Sequence, residues 1–323
     1  PRSTINSANL AKTCGQCHPG ANQKFIAYKV HLGAVERADV GSKVIAFIRK
    51  FYVWMIVWVI GVMVLHNLII WRKKLILHRI GQPRILFRMS VAQRIQHLTL
   101  LISFFTLVLT GFALKYPSSW LAVIFINELV RSYIHRIAGV VLIAVSLFHV
   151  WYVIAKPEGR RLLKDMLPDW KDVTDARDAF RYYLGYSDRR PMFGRFTYAE
   201  KMEYWALVWG MFVMANTGLM VWFKVGVGQR VPGWWLDAAI TIHFYEAILA
   251  TLAIVVWHLY GVIFDPDTYP MNWAWFDGKM SIEQYEHEHP LDHLAIEKAR
   301  GTEEPEPAKA AEQEPAETTG SRK

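Results

Sequence analysis

The chain has 323 residues, of which 53% are hydrophobic and 20% are charged, and its formal net charge is +9 at pH 7. A water-soluble domain of this length is rarely so apolar, so the composition argues against a soluble protein and favours one embedded in a membrane. In a membrane protein the excess of Lys and Arg reports on orientation, so we expect no nucleic-acid partner. The chain begins at Pro1, with neither an initiator Met nor a signal peptide, which is typical of a processed or truncated start.

The first polar segment, residues 1–45, holds both cysteines of the chain in a C-x-x-C-H motif made of Cys14, Cys17 and His18. Two thiols at this spacing can add to the vinyl groups of a haem while the following His binds the iron. A redox dithiol is the plain alternative, and a zinc site would need further ligands near by. We therefore predict one covalently attached haem c. His31 is a candidate for its second axial ligand; alternatively it is a surface His, or it binds a haem in another chain or upstream part.

Five apolar segments follow, each long enough to cross a hydrocarbon core about 30 Å thick, which takes roughly 20 helical residues. Backbone polar groups find no water in lipid, so these segments should be helices. The fold class predicted is an all-α membrane protein with five transmembrane helices in one haem-binding bundle and a small extramembrane haem c segment. We find no internal repeat strong enough to use. The apolar segments lie near residues 47–71, 95–115, 133–155, 202–223 and 238–264.

Lys and Arg concentrate in two of the four loops between these segments. The 72–94 loop carries seven of them and no acidic residue, and the 156–200 loop is also rich in both, whereas the 116–132 and 224–237 loops carry few. Positively charged loops stay on the cytoplasmic side. We therefore predict a multi-pass protein of the bacterial inner membrane, with its N-terminus in the periplasm and its C-terminus in the cytoplasm.

Six His residues fall within the apolar segments, where ionisable groups are costly and mark function. The third and fifth segments each hold two, 14 or 15 residues apart, which is about four helical turns and roughly 21–22 Å along one face. This spacing predicts two haems b stacked across the membrane. His135 and His243 are the only candidates on the outer side. The full set is His66, His97, His135, His149, His243 and His258.

The inner side has more candidates than one haem needs. His258 is one ligand by its spacing, and its partner is either His97 or His149. Near the inner end of the first segment, His66 is a fourth candidate. All four inner His residues could instead hold two haems, which would make three haems b in total.

Four stretches resemble the cytochrome b subunit of membrane-bound formate dehydrogenase, a di-haem, b561-like membrane domain related to subunits of nickel–iron hydrogenase and thiosulfate reductase. The resemblance covers residues 88–290 and follows the order of the family's helices. The stretches are Arg94-Ile95-Gln96-His97, Ile134-His135-Arg136-Ile137-Ala138-Gly139, Lys201-Met202-Glu203-Tyr204-Trp205, and Ile242-His243 through His258.

The resemblance implies two haems b, each held between two helices. It assigns His135 and His243 to the outer haem, and His97 and His258 to the inner haem. It therefore favours His97 over His149 as the partner of His258.

The resemblance also implies a quinone site beside the inner haem, around Thr197, Glu200 and Lys201. The formate dehydrogenase subunit has an Asn where Thr197 stands and a Gln where Glu200 stands. A carboxylate such as Glu200 at a helix start can exchange protons with quinone when it is partly buried. The alternative is that Glu200 and Lys201 form an ordinary helix start at the interface, and that His149 or His66 carries the protons.

Two features depart from the family core: an extra N-terminal helix and the haem c ahead of it. This fusion resembles bacterial cytochromes that link the quinone pool to periplasmic multihaem carriers. The predicted organisation is a periplasmic haem c segment at 1–45, the extra helix at 46–72, a cytochrome b-like four-helix domain at 73–265, a cytoplasmic or membrane-surface segment at 266–296, and a disordered tail at 297–323, rich in Glu, Pro and Ala.

The function predicted is transmembrane electron transfer between the quinone pool and a periplasmic redox partner, as a quinol:cytochrome c-type oxidoreductase acting within a complex. The partner would be a periplasmic cytochrome or an iron–sulfur or multihaem subunit. The alternative is a membrane anchor that reduces quinone for a periplasmic dehydrogenase or hydrogenase. A transporter or structural anchor without redox chemistry is a third class, and the C-x-x-C-H motif argues against it.

Overall fold

A computed structural model of the chain describes residues 9–16, 20, 40–76, 84–124, 127–269 and 271–303. Five long helices dominate it, and all five are long and apolar enough to cross a membrane, which confirms the predicted all-α membrane fold. We label them α1 (Val40–Ile76), α2 (Val91–Lys115), α3 (Glu128–Ala155), α4 (Tyr198–Trp222) and α5 (Trp234–Phe264).

Side-chain caps fix where three of these helices begin. Ser90 and Gln93 form a reciprocal capping box at the start of α2, and Thr197 and Glu200 form the same box at the start of α4. Asn127 caps α3 by accepting a hydrogen bond from the backbone N–H of Leu129, at 2.8 Å. Each cap satisfies backbone donors that the first turn of a helix leaves without partners. The caps therefore set the register in which the helices present their His residues.

Several hydroxyl side chains within the spans are satisfied by their own helix. The hydroxyls of Ser103, Thr110 and Thr217 each donate to the backbone carbonyl four residues earlier, at 2.6–2.7 Å. Such bonds remove the cost of a bare hydroxyl in lipid. The large apolar side chains on the outside of the bundle are exposed, as on α1, where Trp54 is 65% and Trp58 59% exposed. A surface of this kind suits contact with lipid tails.

The helices pack as two neighbouring pairs with an additional helix on one side. α2 lies against α3, α4 lies against α5, and α1 lies against α5. The hydroxyl of Tyr52 on α1 donates to buried Glu246 on α5 at 3.1 Å, and the amide of Asn67 donates to the carbonyl of Val256 at 2.6 Å. The extra N-terminal helix is thus an integral part of the bundle on its α5 side.

The second half of α5 departs from α-helical geometry. It is α-helical over Trp234–Ala253 and then forms π-type turns over Ile254–His258 and Tyr260–Phe264. A π-bulge absorbs one additional residue in a helix and is frequent at functional sites. Here it lies around His258 and lets α1 reach the carbonyl of Val256.

Small elements cover one end of the bundle, which we call the capped end. There, strand β1 (Arg84–Phe87) pairs antiparallel with strand β2 (Lys279–Ser281), with Leu86 opposite Met280. Short helices at this end are Pro157–Met166, Trp170–Tyr183, Ala274–Asp277, Ile282–Glu288 and Pro290–Glu303. The last of these continues past residue 297, where the sequence predicts the tail to begin; residues 304–323 lie outside the described part.

The opposite end of the bundle carries shorter connections. Helix Trp120–Ile124 joins α2 to α3, and helix Lys224–Gly228 joins α4 to α5. Upstream of α1, helix Leu10–Gly15 reaches into the C-x-x-C-H motif. Cys14 lies in this helix and is partly buried, whereas Cys17, His18 and His31 lie outside the described residues.

Candidate functional site

Two pairs of imidazoles face each other between the helices, at two depths in the bundle. The rings of His135 on α3 and His243 on α5 have their centroids 6.4 Å apart, near the opposite end. The rings of His97 on α2 and His258 on α5 have their centroids 6.2 Å apart, near the capped end. The structure therefore brings together the four residues that the resemblance assigns to two haems b.

The separation within each pair leaves room for one metal ion between the two rings. A metal–imidazole bond is about 2 Å long and the bonding nitrogen lies about 1.1 Å from the ring centre, so two rings on one metal have centroids about 6.3 Å apart. Direct hydrogen bonding or stacking would bring the rings closer. Both pairs thus fit an iron with two axial His ligands.

At the opposite end, both His rings are held through Nδ1 by a threonine on the neighbouring helix. His135 Nδ1 lies 2.9 Å from the hydroxyl of Thr110, and His243 Nδ1 lies 3.0 Å from that of Thr217. Each hydroxyl already donates to its own helix, so it accepts from the imidazole N–H. The proton is thereby fixed on Nδ1, and Nε2 keeps the lone pair that a metal needs.

A glycine follows each of these threonines, where a larger residue would strike the ring. A Cβ added to Gly111 would lie 3.1 Å from Cε1 of His135, and one added to Gly218 would lie 3.2 Å from Cε1 of His243. Both distances are tighter than ordinary van der Waals contact. The Thr-Gly pairs at 110–111 and 217–218 therefore form matching cradles for the two imidazoles.

The capped-end pair is held differently. His258 Nδ1 donates to Oε2 of Glu203 on α4, at 3.4 Å, so its partner is a carboxylate. His97 Nδ1 is buried and has no hydrogen-bond partner among the described residues. The ring of Trp275, from the capped end, lies 6.4 Å from the ring of His97. This pair has one charged partner where the other pair has two neutral ones.

Two arginines lie one helical turn before a His of each pair. Arg94 precedes His97 on α2, and Arg131, which is 5% exposed, precedes His135 on α3. Each guanidinium donates through Nη1 to a backbone carbonyl, but its Nε is buried and has no partner among the described residues. A buried guanidinium N–H with no acceptor is costly. A carboxylate beside each His pair would satisfy it, and a haem carries two propionates.

His149 and His66, the other two membrane His residues, use both ring nitrogens in hydrogen bonds. His149 Nδ1 lies 2.8 Å from Oε1 of Gln96, and its Nε2 lies 3.1 Å from the hydroxyl of Tyr204. His66 Nδ1 lies 3.3 Å from Oδ1 of Asn67, and its Nε2 lies 2.8 Å from the hydroxyl of Tyr198. Neither ring faces another imidazole, so neither has the geometry of the two pairs described above.

The three predicted quinone-site residues have structural partners. Thr197 and Glu200 form the cap of α4, and Glu200 also accepts from Arg88 at 3.0 Å. Lys201 Nζ contacts Asp172 at 2.9 Å. Their polar groups are therefore engaged in a helix start and two ion pairs at the capped end.

Sequence reasoning missed a buried polar cluster beside this helix start. Arg88, whose side chain is 9% exposed, lies between Glu200 and the ring of His289, with its Nη2 at 3.3 Å from His289 Nε2. His289 Nδ1 donates to the carbonyl of Gly194 at 2.9 Å. Burial lowers the pKa of His289, although Glu200 opposes this shift. No local pattern marks His289, because its partners are far from it in sequence.

The helix pairs α2–α3 and α4–α5 repeat one arrangement of side chains, although the sequence alone shows no usable repeat. Each aligned residue of α4 lies 107 positions after its counterpart in α2. In both halves the second helix carries two His residues, and their Nδ1 atoms are held by the first helix. The aligned pairs are Ser90 and Thr197, Gln93 and Glu200, Gln96 and Glu203, His97 and Tyr204, Thr110 and Thr217, and Gly111 and Gly218.

A bundle of membrane helices that holds two facing pairs of imidazoles defines the class of protein, a membrane cytochrome of b type. A family model described as prokaryotic cytochrome b561 matches residues 88–295, more than half of the chain, so the chain belongs to this family. The predicted membership of the cytochrome b subunit family is confirmed. The protein is accordingly a multi-pass membrane cytochrome that carries electrons on b-type haem.

The chain is also similar to curated relatives. It is 23% identical over 227 residues to the cytochrome b556(Fdn) subunit of the nitrate-inducible formate dehydrogenase of Escherichia coli strain K12. The corresponding subunits of Escherichia coli O157:H7 and Shigella flexneri match equally well. The match covers 70% of this chain and 98% of each relative.

Proposed function

We propose that the protein transfers electrons across the membrane between a quinone at the capped end and a redox partner beyond the opposite end. The observation that carries the proposal is the pair of imidazole sites, with ring centroids 6.2 Å and 6.4 Å apart, at two depths along α5. Two metal-binding sites, one above the other in the bundle, form a path for electrons through the hydrocarbon region. The path needs no movement of the helices.

Two haems b would occupy these sites and supply reversible one-electron chemistry at iron. His135 and His243 hold one haem, and His97 and His258 hold the other. The threonine partners fix the ring orientation of the first pair and leave each Nε2 free for a metal. Arg94 and Arg131 would stabilise the propionates, since their buried Nε atoms have no acceptor among the described residues.

We propose two haems b, and assign His149 and His66 no iron. Both nitrogens of each ring are within hydrogen-bond distance of a protein group, and Tyr204 lies where an iron on His149 Nε2 would be. A third haem would require both networks to break, which would leave several polar groups bare in the membrane.

The haem c belongs to the C-x-x-C-H motif, with Cys14 and Cys17 as attachment sites, His18 as iron ligand and His31 as candidate second ligand. Helix Leu10–Gly15 brings Cys14 to the start of the motif. The Lys- and Arg-rich loops lie at the capped end, so the positive-inside rule puts that end in the cytoplasm and the haem c in the periplasm. The haem c then extends the electron path outward.

The quinone site lies beside His258 at the capped end. Oxidation of a quinol releases two protons with two electrons, so the site needs a proton acceptor. Buried Arg88 stabilises Glu200 as a carboxylate, so Glu200 is not the preferred proton acceptor. Glu200 and its neighbours Thr197 and Lys201 instead line the proposed quinone site. His66 is better placed to accept a proton, because its ring stacks on Trp257 at 4.4 Å, next to His258 in the chain.

The test is reduction of the purified protein in lipid nanodiscs by a water-soluble quinol analogue, followed at the b- and c-type absorption bands. The wild-type protein should show both bands reduced. His135→Ala should leave the capped-end haem b reducible and the c band oxidised, because this variant loses the haem b that lies between the capped-end haem and the haem c. His97→Ala should leave all bands oxidised, and His149→Leu should behave as wild type. Rapid reduction of the c band in His97→Ala would contradict the proposal.

A second candidate function follows from the relatives, each of which is named as a subunit of a formate dehydrogenase. In that case a periplasmic dehydrogenase would deliver electrons through the same sites to quinone. The two functions differ in partner and direction. Purification from native membranes in mild detergent, with mass spectrometry of the stoichiometric partners, separates them: a catalytic dehydrogenase subunit supports the second function, and a cytochrome supports the first.

A further inference from the structure

One imidazole of the capped-end site is hydrogen-bonded to a carboxylate, whereas both imidazoles of the opposite-end site are hydrogen-bonded to neutral hydroxyls. In both halves of the bundle the first helix contacts the His residues of the second helix through Nδ1. Three of these contacts use neutral groups, the hydroxyls of Thr110 and Thr217 and the amide of Gln96. The fourth uses the carboxylate of Glu203, which accepts from His258. Glu203 and Gln96 occupy aligned positions in the two halves. The contact of Gln96 with His149 therefore shows the same arrangement with a neutral side chain in place of the carboxylate.

A carboxylate that accepts the Nδ1 proton makes an imidazole a stronger electron donor to metal at Nε2. Stronger donation stabilises the oxidised iron more than the reduced iron, and so does the negative charge itself. Both effects lower the reduction potential. A threonine hydroxyl contributes neither to the same extent, because it is neutral and already donates to its own helix.

The arginines do not cancel this difference. Arg94 lies one turn from His97 and Arg131 lies one turn from His135, so each site has next to it one arginine whose Nε is buried. Their positive charges raise both potentials in the same direction. Among the groups that hydrogen-bond to the imidazoles, the contrast between the sites is therefore the carboxylate of Glu203 on His258.

We infer that Glu203 lowers the reduction potential of the haem held by His97 and His258 below that of the haem held by His135 and His243. Glu203 is a positioning residue that acts through His258. The inference rests on the proposed function and adds a direction to it, because an electron at the capped end then moves downhill to the opposite end. With both haems bound, this transfer would oxidise one iron and reduce the other by one electron, and no bond would form or break. Quinol oxidation at the capped end is the reaction that this order favours.

The experiment is a potentiometric titration of the purified full chain in nanodiscs, with the b-type absorption band and low-temperature EPR as readouts. The wild-type protein should give two b-type steps. His135→Ala removes the high-potential step and so assigns the low one to His97 and His258. Glu203→Gln keeps the side-chain size and installs the residue found at the aligned position. This variant should raise the midpoint potential of the low-potential step and so narrow the difference between the two midpoint potentials. It should change the ferric EPR signal of that haem alone.

Three controls separate the inference from a structural effect. Glu203→Asp keeps the charge and should retain part of the lowered potential. Asp178→Asn removes an exposed negative charge at the capped end and should move neither step. Thr217→Val should shift only the high-potential step.

An unchanged low-potential step in Glu203→Gln, with both haems still bound, would overturn the inference and leave the proposed function standing. Equal shifts of both steps would also overturn it, because they would show a general effect of charge. Absence of b-type haem from the wild-type protein would instead overturn the proposed function.

Discussion

The two halves of the bundle share one design and differ in charge. The α2–α3 half, which we call the neutral half, has amides at Gln93 and Gln96. The α4–α5 half, which we call the charged half, has carboxylates at Glu200 and Glu203 at the aligned positions. Both halves cap their first helix in the same way and hold their second helix through the same positions. The halves also differ in their neighbours. Among the helix pairs that pack most closely, α1 is paired with α5 and not with α2 or α3.

This difference shows how a repeated scaffold can acquire an asymmetric function. In the neutral half, His149 faces the hydroxyl of Tyr204, and its hydrogen bonds are complete. The residue of the neutral half that is aligned with Tyr204 is His97, and it faces His258 of the charged half across the width of a metal site. A single exchange of Tyr for His between the halves thus separates a closed hydrogen-bond network from an axial ligand pair.

The largest expected effect comes from removing the second His of each half. His258→Ala should abolish one of the two b-type haems, because it leaves His97 without its partner. His149→Ala should retain both haems, since His149 has no iron. Haem content per chain, measured after purification, checks both variants. If the two variants lost haem equally, the halves would be equivalent and the assignment would fail.

The glycine cradles should respond alike in the two halves, which tests the part of the design that they share. Gly111→Val and Gly218→Val would push on His135 and His243, and overpacking of this kind costs about 1–3 kcal/mol. Each variant should weaken haem binding at the opposite end and spare the capped end. Gly61→Val on α1 has nothing within 4 Å and is the matched control. A loss confined to the capped end would contradict the cradle interpretation.

The contact with α1 should matter for the charged half alone. Asn67→Ala removes the donor to the carbonyl of Val256 in the π-type turn, and a buried carbonyl without a partner costs about 1–3 kcal/mol. We expect a lower midpoint for the thermal loss of the capped-end haem signal. Thr106→Val, which removes a hydroxyl bonded to its own helix, is the control in the neutral half. Equal destabilisation by both variants would argue against a special role for α1.

The smallest expected effect concerns pH, because a titratable cluster around His289 lies at the helix start of the charged half. Burial lowers the pKa of His289 in the folded protein, so the folded state favours neutral His289 and the unfolded state takes up the proton first. The free energy of unfolding should be highest above the ordinary His pKa of about 6.5. As the pH falls below that value, the free energy should decrease by at most about 1.4 kcal/mol per pH unit.

Thermal midpoints between pH 7.5 and pH 5.5 measure this effect. His289→Gln keeps a hydrogen-bonding group beside Arg88 and the carbonyl of Gly194, and it should flatten the dependence. A slope that persists unchanged in His289→Gln would assign the titration to another group.

The fold was predictable in outline because the membrane imposes strong rules on sequence. Long apolar stretches must be helices in lipid, and each predicted segment corresponds to one observed span. The observed helices begin earlier, as α1 does at Val40 and α2 at Val91, because polar caps and first turns carry no hydropathy signal. The strand pair at 84–87 and 279–281 was not predicted, since it joins short segments far apart in sequence.

The depths of the His residues in the membrane could be predicted from the sequence, whereas the pairing of their rings and their hydrogen-bond partners could be predicted less well. The spacing of His243 and His258 on one helix indicates two levels, and the structure has two pairs at two levels. Which rings face each other depends on how helices pack, and that information came from the family resemblance. The contacts of Glu203 and Thr217 with the His residues were not predicted, because such residues are common in membrane helices and become meaningful only beside a ring.

The most direct test of the central claim is the haem inventory of the purified protein, by pyridine haemochrome spectra that separate b-type from c-type haem. We expect two haems b for each copy of the chain, at the two imidazole pairs, and one haem c for its C-x-x-C-H motif. A protein without b-type haem would contradict the account. A third haem b would contradict it too, because it would require the hydrogen bonds around His149 and His66 to be absent.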